Sequence, residues 1–326
     1  MSVHLADCHL HLEGCLTEET VLLLARRGGH RFADPAVFAK ARSGVRDAAS
    51  FLALYAEMCR LLRGPEDYFE AARAIALRLY RDGVAYAELY VSPEILSRFG
   101  LPAAECLSAI SDAFEERGVE RARCRVLLDA VRQWGPESAE RVLDLYESRR
   151  PSAVVGFGLG GDEASRPAAE FAGVYLRARA LGLRTSVHAG EWAGPESVAQ
   201  ALDALRPDRV DHGIAAAADP GLMSRLAEEG TILCVAPTSN RATGAVPSLK
   251  AHPLRSLLEA GVRVAIAADD PALFETSTRQ EYEILSSELG LSPEQRRRCA
   301  EDSWRAAFCS AEERRAGLAT LAAAEL

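Results

Sequence analysis

Short β-branched runs alternate with longer stretches of helical spacing along almost the whole chain. Val3–His9 reads as a strand running into His9-Leu10-His11, and Thr17 opens a helix that Arg26-Arg27-Gly28 closes with the expected charge and glycine. Residues 32–65 read as extra helix and loop laid over this end of the protein. Regular pairs follow. Helix Asp67–Arg81 precedes strand Ala85–Val91, Ala103–Glu116 precedes Arg123–Val131, and Ser138–Arg149 precedes Ala153–Leu159. Ala168–Ala180 precedes Arg184–His188, and Pro195–Leu205 precedes Arg209–His212. Pro220–Glu229 precedes Thr231–Ala236, and Pro253–Ala260 precedes Arg263–Ala268. Alternation of this kind implies a parallel sheet. With the opening strand there are eight such strands, which predicts a closed (β/α)8 TIM-type barrel spanning 1–326 as one domain. Extra helices fall after strand one and in the tail, Pro293–Leu326. An open doubly wound sheet is the alternative, but no GxGxxG follows the first strand.

Composition narrows the classes. A formal net charge of −9 and no run of five or more like charges argue against a nucleic-acid surface. The opening MSVHLADCHLHLEG lacks the basic flank and apolar core of a secretion signal, and no stretch reaches the length of a membrane span. The eight cysteines are scattered without a CxxC pair, which favours reduced, mostly buried thiols and a cytoplasmic protein.

The chemistry collects at strand ends, where a barrel keeps its active site. Two residues apart in a strand, His9 and His11 face one side. Strand five ends in His188 and Glu191, strand six in Asp211 and His212, strand eight in Asp269 and Asp270. Four of the seven histidines fall at these ends; His4, His30 and His252 read as structural or exposed. Each motif alone has a plain reading: HxH as two solvated residues, HAGE as a turn, Asp-Asp-Pro as a helix start. Their convergence on one mouth points instead to a mononuclear metal hydrolase. Three imidazoles and a carboxylate suit Zn²⁺, with Fe²⁺ and Co²⁺ fitting the same donors, and a bound metal lowers the pKa of water to about 7.

The motifs DCHLHLEG (7–14), GLGGDE (158–163), SVHAGE (186–191), VDHG (210–213), APTSN (236–240) and AADDPALF (267–274) resemble the adenosine/adenine deaminase family of amidohydrolases over nearly the whole chain. The HxE and PCxxC signature of the other zinc deaminases is absent. The resemblance implies that His9, His11, His188 and Asp269 hold one Zn²⁺ and that Glu191 protonates purine N1. His212 would steer the hydroxide that attacks C6, with Asp269 helping to take its proton. Asp270 would meet N7, the Gly161 backbone N3, and Glu13 the ribose 5′ side; His11 also borders the substrate. The implied reaction replaces the 6-amino group of an adenosine-like purine nucleoside by oxygen and releases ammonia.

Departures from the family pattern bear on substrate. Adenosine deaminases proper tend to have Asp, Gly and Arg where Glu13, Asp211 and Tyr90 stand, and Asp in place of Gly158. Glu13 and Asp211 resemble the adenine deaminase branch, whereas HAGEWAGPESV is closer to enzymes acting on 6-amino-6-deoxyfutalosine, a menaquinone precursor. Arg132 or Arg241 would be the clamp for that substrate's carboxylate. Two other readings use the same barrel: a metal hydrolase of a different substrate, and a catalytically inert zinc barrel that binds a partner.

Overall fold

The computed structural model of the protein describes residues 4–116 and 120–324. Eight parallel strands run in sequence order, β1 (Leu5–His11), β2 (Val84–Val91), β3 (Arg123–Val131), β4 (Val154–Gly160), β5 (Arg184–Ala189), β6 (Arg209–His212), β7 (Ile232–Val235) and β8 (Arg263–Ile266). The ring closes between β1 and the segment after β8, where the Asp269 N–H donates to the His9 carbonyl and the His11 N–H to the Asp269 carbonyl. Closure therefore lies within the expected site. The fold is a (β/α)8 TIM barrel.

The helices pack their apolar faces on this ring, and the residues that line the strands are almost all buried. The expected extra helices after β1 are Pro35–Ser43 and Ala48–Met58, each capped by an aspartate whose carboxylate accepts a first-turn N–H, Asp34 from Ala36 and Asp47 from Ser50. The tail forms Pro293–Ala306 and Ala311–Ala322, both opened by capping boxes. Three helices escape the hydrophobic pattern. Pro93–Arg98 and Pro237–Ala242 are six residues long, too short to show a period, and Thr278–Ser287 is mostly polar. The segment expected as one helix over Ala168–Ala180 begins with a 3-10 turn, Ala168–Phe171. All eight cysteines are free, and no helix among the described residues is long and apolar enough to cross a membrane.

Inside the barrel, below the mouth, Arg209 and Glu88 form an ion pair with no exposure on either side chain. The guanidinium also donates to the carbonyls of Cys8 (2.7 Å) and Ala306 (3.0 Å). Glu88 accepts from the Tyr86 hydroxyl and the Phe308 N–H as well. This is the floor on which the site rests.

Candidate active site

His9, His11 and His188 present ring nitrogens within 4.8 Å of one another, and ring nitrogens of His9 and His212 lie as close to one another and to a carboxylate oxygen of Asp269. Asp269 Oδ1 lies 3.3 Å from His9 Nε2 and 3.3 Å from His11 Nε2. His9 Nε2 and Asp269 Oδ1 are buried and make no hydrogen bond, the arrangement of lone pairs converging on a cation. Ser239 donates to Asp269 Oδ2 at 2.6 Å, which leaves Oδ1 for that role. Burial lowers the pKa of His11 to about 3 and of His188 to about 4, so both imidazoles are neutral donors. At His9 burial opposes a proton, yet Asp211 and Asp269 outweigh it and raise the pKa to about 9. The site thus calls for positive charge, which a divalent ion supplies. The residues present fit a metal.

Asp211 stands behind the cluster. Its oxygens lie 3.6 Å from His9 Nδ1 and 3.7 Å from His188 Nδ1, and it accepts hydrogen bonds from Tyr90 and Ser186. A carboxylate on the far nitrogen would fix the orientation of a ring that holds a metal. The departures at 90, 158 and 211 form one physical unit. A Cβ at Gly158 would lie 2.5 Å from the Tyr90 ring, so glycine there makes room for the tyrosine that holds Asp211.

Consecutive residues in a strand point to opposite faces, yet Asp211 with His212 and Asp269 with Asp270 all belong to the site. Backbone geometry resolves this. His212 and Asp269 both have φ +60, in the left-handed region, and this turn at the strand end re-aims the side chain.

Glu191 and His212 meet at 3.4 Å (Oε2 to Nε2). Burial, with the Asp269 and Glu163 charges, pushes the Glu191 carboxyl well up; burial also holds His212 well below the usual histidine range. The loop bearing Glu191 is clamped by Glu163, which accepts the backbone N–H groups of Gly190, Glu191, Trp192 and Ala193 and the Ser197 hydroxyl.

A relay fixes the His212 tautomer. The Leu254 N–H donates to His252 Nδ1 at 3.1 Å, so His252 carries its proton on Nε2 and donates it to Asn240 Oδ1 at 3.1 Å. The amide of Asn240 then donates to His212 Nδ1 at 3.0 Å, and the His212 proton sits on Nε2, facing Glu191 and Asp269. His252, read from sequence as structural or exposed, is buried. The proline beside it marked a helix start and concealed this role.

Asp270 is fully buried, and neither carboxylate oxygen has a hydrogen-bond partner. It caps no helix, so the plain reading of Asp-Asp-Pro is not realised. A Cβ at Gly14 would overlap its carboxylate, which explains the glycine. Gly161 has φ +91, and a side chain there would meet Gln133. Glu13 stands behind the cavity wall at 2% exposure and accepts the hydroxyls of Tyr55 (2.9 Å) and Tyr68 (3.3 Å). Arg132 is not a ligand clamp. Buried, it donates to the carbonyls of His188 (2.6 Å) and Arg166 (3.2 Å), holding the seam where β4 and β5 pair only at Gly156–Arg184 and Phe157–Thr185. Arg241 is exposed and does not line the cavity.

The cavity above the cluster holds about 160 Å³ and is bordered by His11, Asp129, Gly161, Glu191 and Trp192 among others. Among the described residues no arginine or lysine lines it.

Compared with known proteins, the chain matches the adenosine deaminase family over residues 5–324. It is 37% identical over 325 residues to the adenine deaminase of Rhizobium meliloti (strain 1021), covering 98% of this chain and 99% of that one. Among solved structures, the adenine deaminase from Arthrobacter aurescens is 29% identical, with a TM-score of 0.91 over 99% of both chains. An amidohydrolase from Burkholderia ambifaria with bound zinc is 26% identical, with a TM-score of 0.89 over 98% of this chain and 90% of that one.

Proposed function

The chain belongs to the adenosine deaminase family, metal-dependent hydrolytic deaminases of purines, and from that premise we propose that it deaminates free adenine with Zn²⁺ as its metal. The observation that carries the choice of base over nucleoside is Glu13. Its two oxygens are taken by Tyr55 and Tyr68, so the group expected at the ribose is committed to the wall. Cavity size agrees: 160 Å³ is close to the roughly 150 Å³ known to take up a single benzene ring. The curated relatives described above are adenine deaminases, which supports the base over the adenosine-like nucleoside expected first. The zinc-bound relative supports the metal.

In this reading His9, His11, His188 and Asp269 hold the ion, which when bound supplies an activated water. Glu191, whose carboxyl burial pushes up, gives a proton to N1 as C6 is attacked. The Nε2–H of His212 donates to the attacking oxygen, its tautomer set by Asn240 and His252. Asp269 takes the oxygen's proton, Asp270 binds N7 and Gly161 meets N3. Collapse of the adduct passes the proton on Asp269 to the departing amino group and the hydroxyl proton back to Glu191, so the ring gains the 6-oxo group and ammonia leaves.

A second reading, 6-amino-6-deoxyfutalosine as substrate, is favoured by the HAGEWAGPESV segment, whose Trp192 borders the cavity. It would leave the substrate's carboxylate without a cation on the cavity wall. Ammonia release from adenine, adenosine and 6-amino-6-deoxyfutalosine by the zinc-loaded enzyme tests both. Adenine is expected to lead in kcat/KM by at least about 100-fold, as a site shaped to one polar edge discriminates. A lead for either nucleoside overturns the adenine assignment.

A further inference from the structure

We propose that Asp129 selects the free base by accepting the N9–H that adenine carries and every 9-substituted purine lacks. The inference rests on the adenine reading above and adds a residue to it. Asp129 interrupts the apolar run of β3 between Leu128 and Ala130, lines the cavity and is 6% exposed. Its Oδ2 accepts the Ser92 hydroxyl at 2.6 Å, while its buried Oδ1 makes no hydrogen bond. The approach to Oδ1 is kept open by Gly160, where a Cβ would stand 3.0 Å away.

The other polar groups on this side of the cavity are committed. The Tyr55 hydroxyl donates to Glu13, the Ser92 hydroxyl to Asp129, and Gln133 Oε1 accepts the Asp162 N–H. A buried carboxylate oxygen left over in a cavity wall is costly unless a donor arrives with the ligand.

Position identifies the donor. In the order of the ring β3, which carries Asp129, stands next to β4 on the side toward β1 and β8. A 6-aminopurine read with N1 at Glu191 after β5, N3 at Gly161 after β4 and N7 at Asp270 after β8 turns N9, the ring atom between N3 and N7, toward that side. Free adenine has a proton to give at N9. In a nucleoside that nitrogen is bonded to carbon, so Oδ1 would stay unpaired and the substituent would press on Asp129.

The test is kcat/KM for adenine and 9-methyladenine with the zinc-loaded enzyme and its Asp129→Asn and Asp129→Ala variants, alongside metal content and thermal melting. The wild type is expected to prefer adenine. In Asp129→Asn, which keeps the volume, adenine should fall by about 10- to 100-fold, the worth of a hydrogen bond to a charged group. The 9-methyl substrate should hold within about 3-fold, so that the preference collapses. Asp129→Ala should lose the preference too. If both substrates fall together, or neither moves, Asp129 only shapes the wall and the inference fails while adenine deamination stands. A wild type inert toward adenine overturns the reading beneath it as well.

Discussion

The barrel holds two buried polar clusters stacked on one another, and they are built in opposite ways. At the floor, Arg209 and Glu88 are surrounded by partners, with the Cys8 and Ala306 carbonyls, the Tyr86 hydroxyl and the Phe308 N–H meeting what the ion pair leaves over. Only Arg209 Nε lacks a hydrogen bond, and it leans on Asp211 at 3.9 Å. At the mouth, His9, Asp129, Asp269 and Asp270 all keep buried atoms that no partner among the described residues satisfies. The residues named are buried in both places. Satisfaction of the polar atoms separates them: a closed network specifies the fold, and an open one waits for a ligand.

The largest effect should follow from changing the mouth where it is proposed to move a proton. Glu191→Gln keeps the hydrogen-bonding shape but removes the acid, and kcat should fall by about 10²- to 10⁴-fold with bound metal unchanged. Turnover retained, or metal lost in step with activity, would refute the division of labour between Glu191 and the ligands.

The floor should answer in stability instead. Glu88→Gln strands the Arg209 charge in the barrel interior, and removing one partner of a buried pair costs about 3–5 kcal/mol. Denaturant unfolding measures the loss, while the folded fraction should bind metal as before. Equal losses of stability and metal affinity would mean that floor and mouth are one cluster.

Asp211 joins the two layers and so sharpens the contrast. Asp211→Asn is expected to weaken metal binding by about 10- to 100-fold, the usual effect of losing a carboxylate behind a ligating histidine. Competition with a chelator reads this without any assay of turnover. An unchanged affinity would make Asp211 part of the floor alone.

Much of the mouth was legible in the sequence because its residues sit at strand ends marked by glycine and proline, in compact motifs such as SVHAGE and AADDPALF. The floor was not. Glu88 and Arg209 are 121 residues apart, as are Tyr90 and Asp211, and these contacts cross the barrel interior between strands that do not pair. Alternation along a strand says which face a residue takes, but which residues meet across the ring depends on the tilt of the whole barrel. Asp129 was hidden for a related reason, as a single carboxylate within an apolar run carries no motif. Glu13 was legible as a site residue from its motif, while the tyrosines that occupy it, 42 and 55 residues away, were not.

The smallest expected effect concerns His252, which touches neither the ligand cluster nor the cavity wall yet is tied to the reaction by two hydrogen bonds. Replacing it with phenylalanine keeps the ring's bulk and frees the Asn240 amide to turn. Nothing then obliges His212 to accept at Nδ1, and the tautomer with its proton on Nδ1 becomes available. That tautomer offers a lone pair, not a proton, to the attacking oxygen. One neutral hydrogen bond is worth about 1 kcal/mol, so kcat should drop roughly 3- to 10-fold with KM and metal content unchanged. Asn240→Asp, which offers Nδ1 a charged acceptor, should favour the wrong tautomer outright and cost more than His252→Phe. If the order of the two variants is reversed, His252 acts through packing, and the proton on His212 is placed by Glu191 and Asp269 alone.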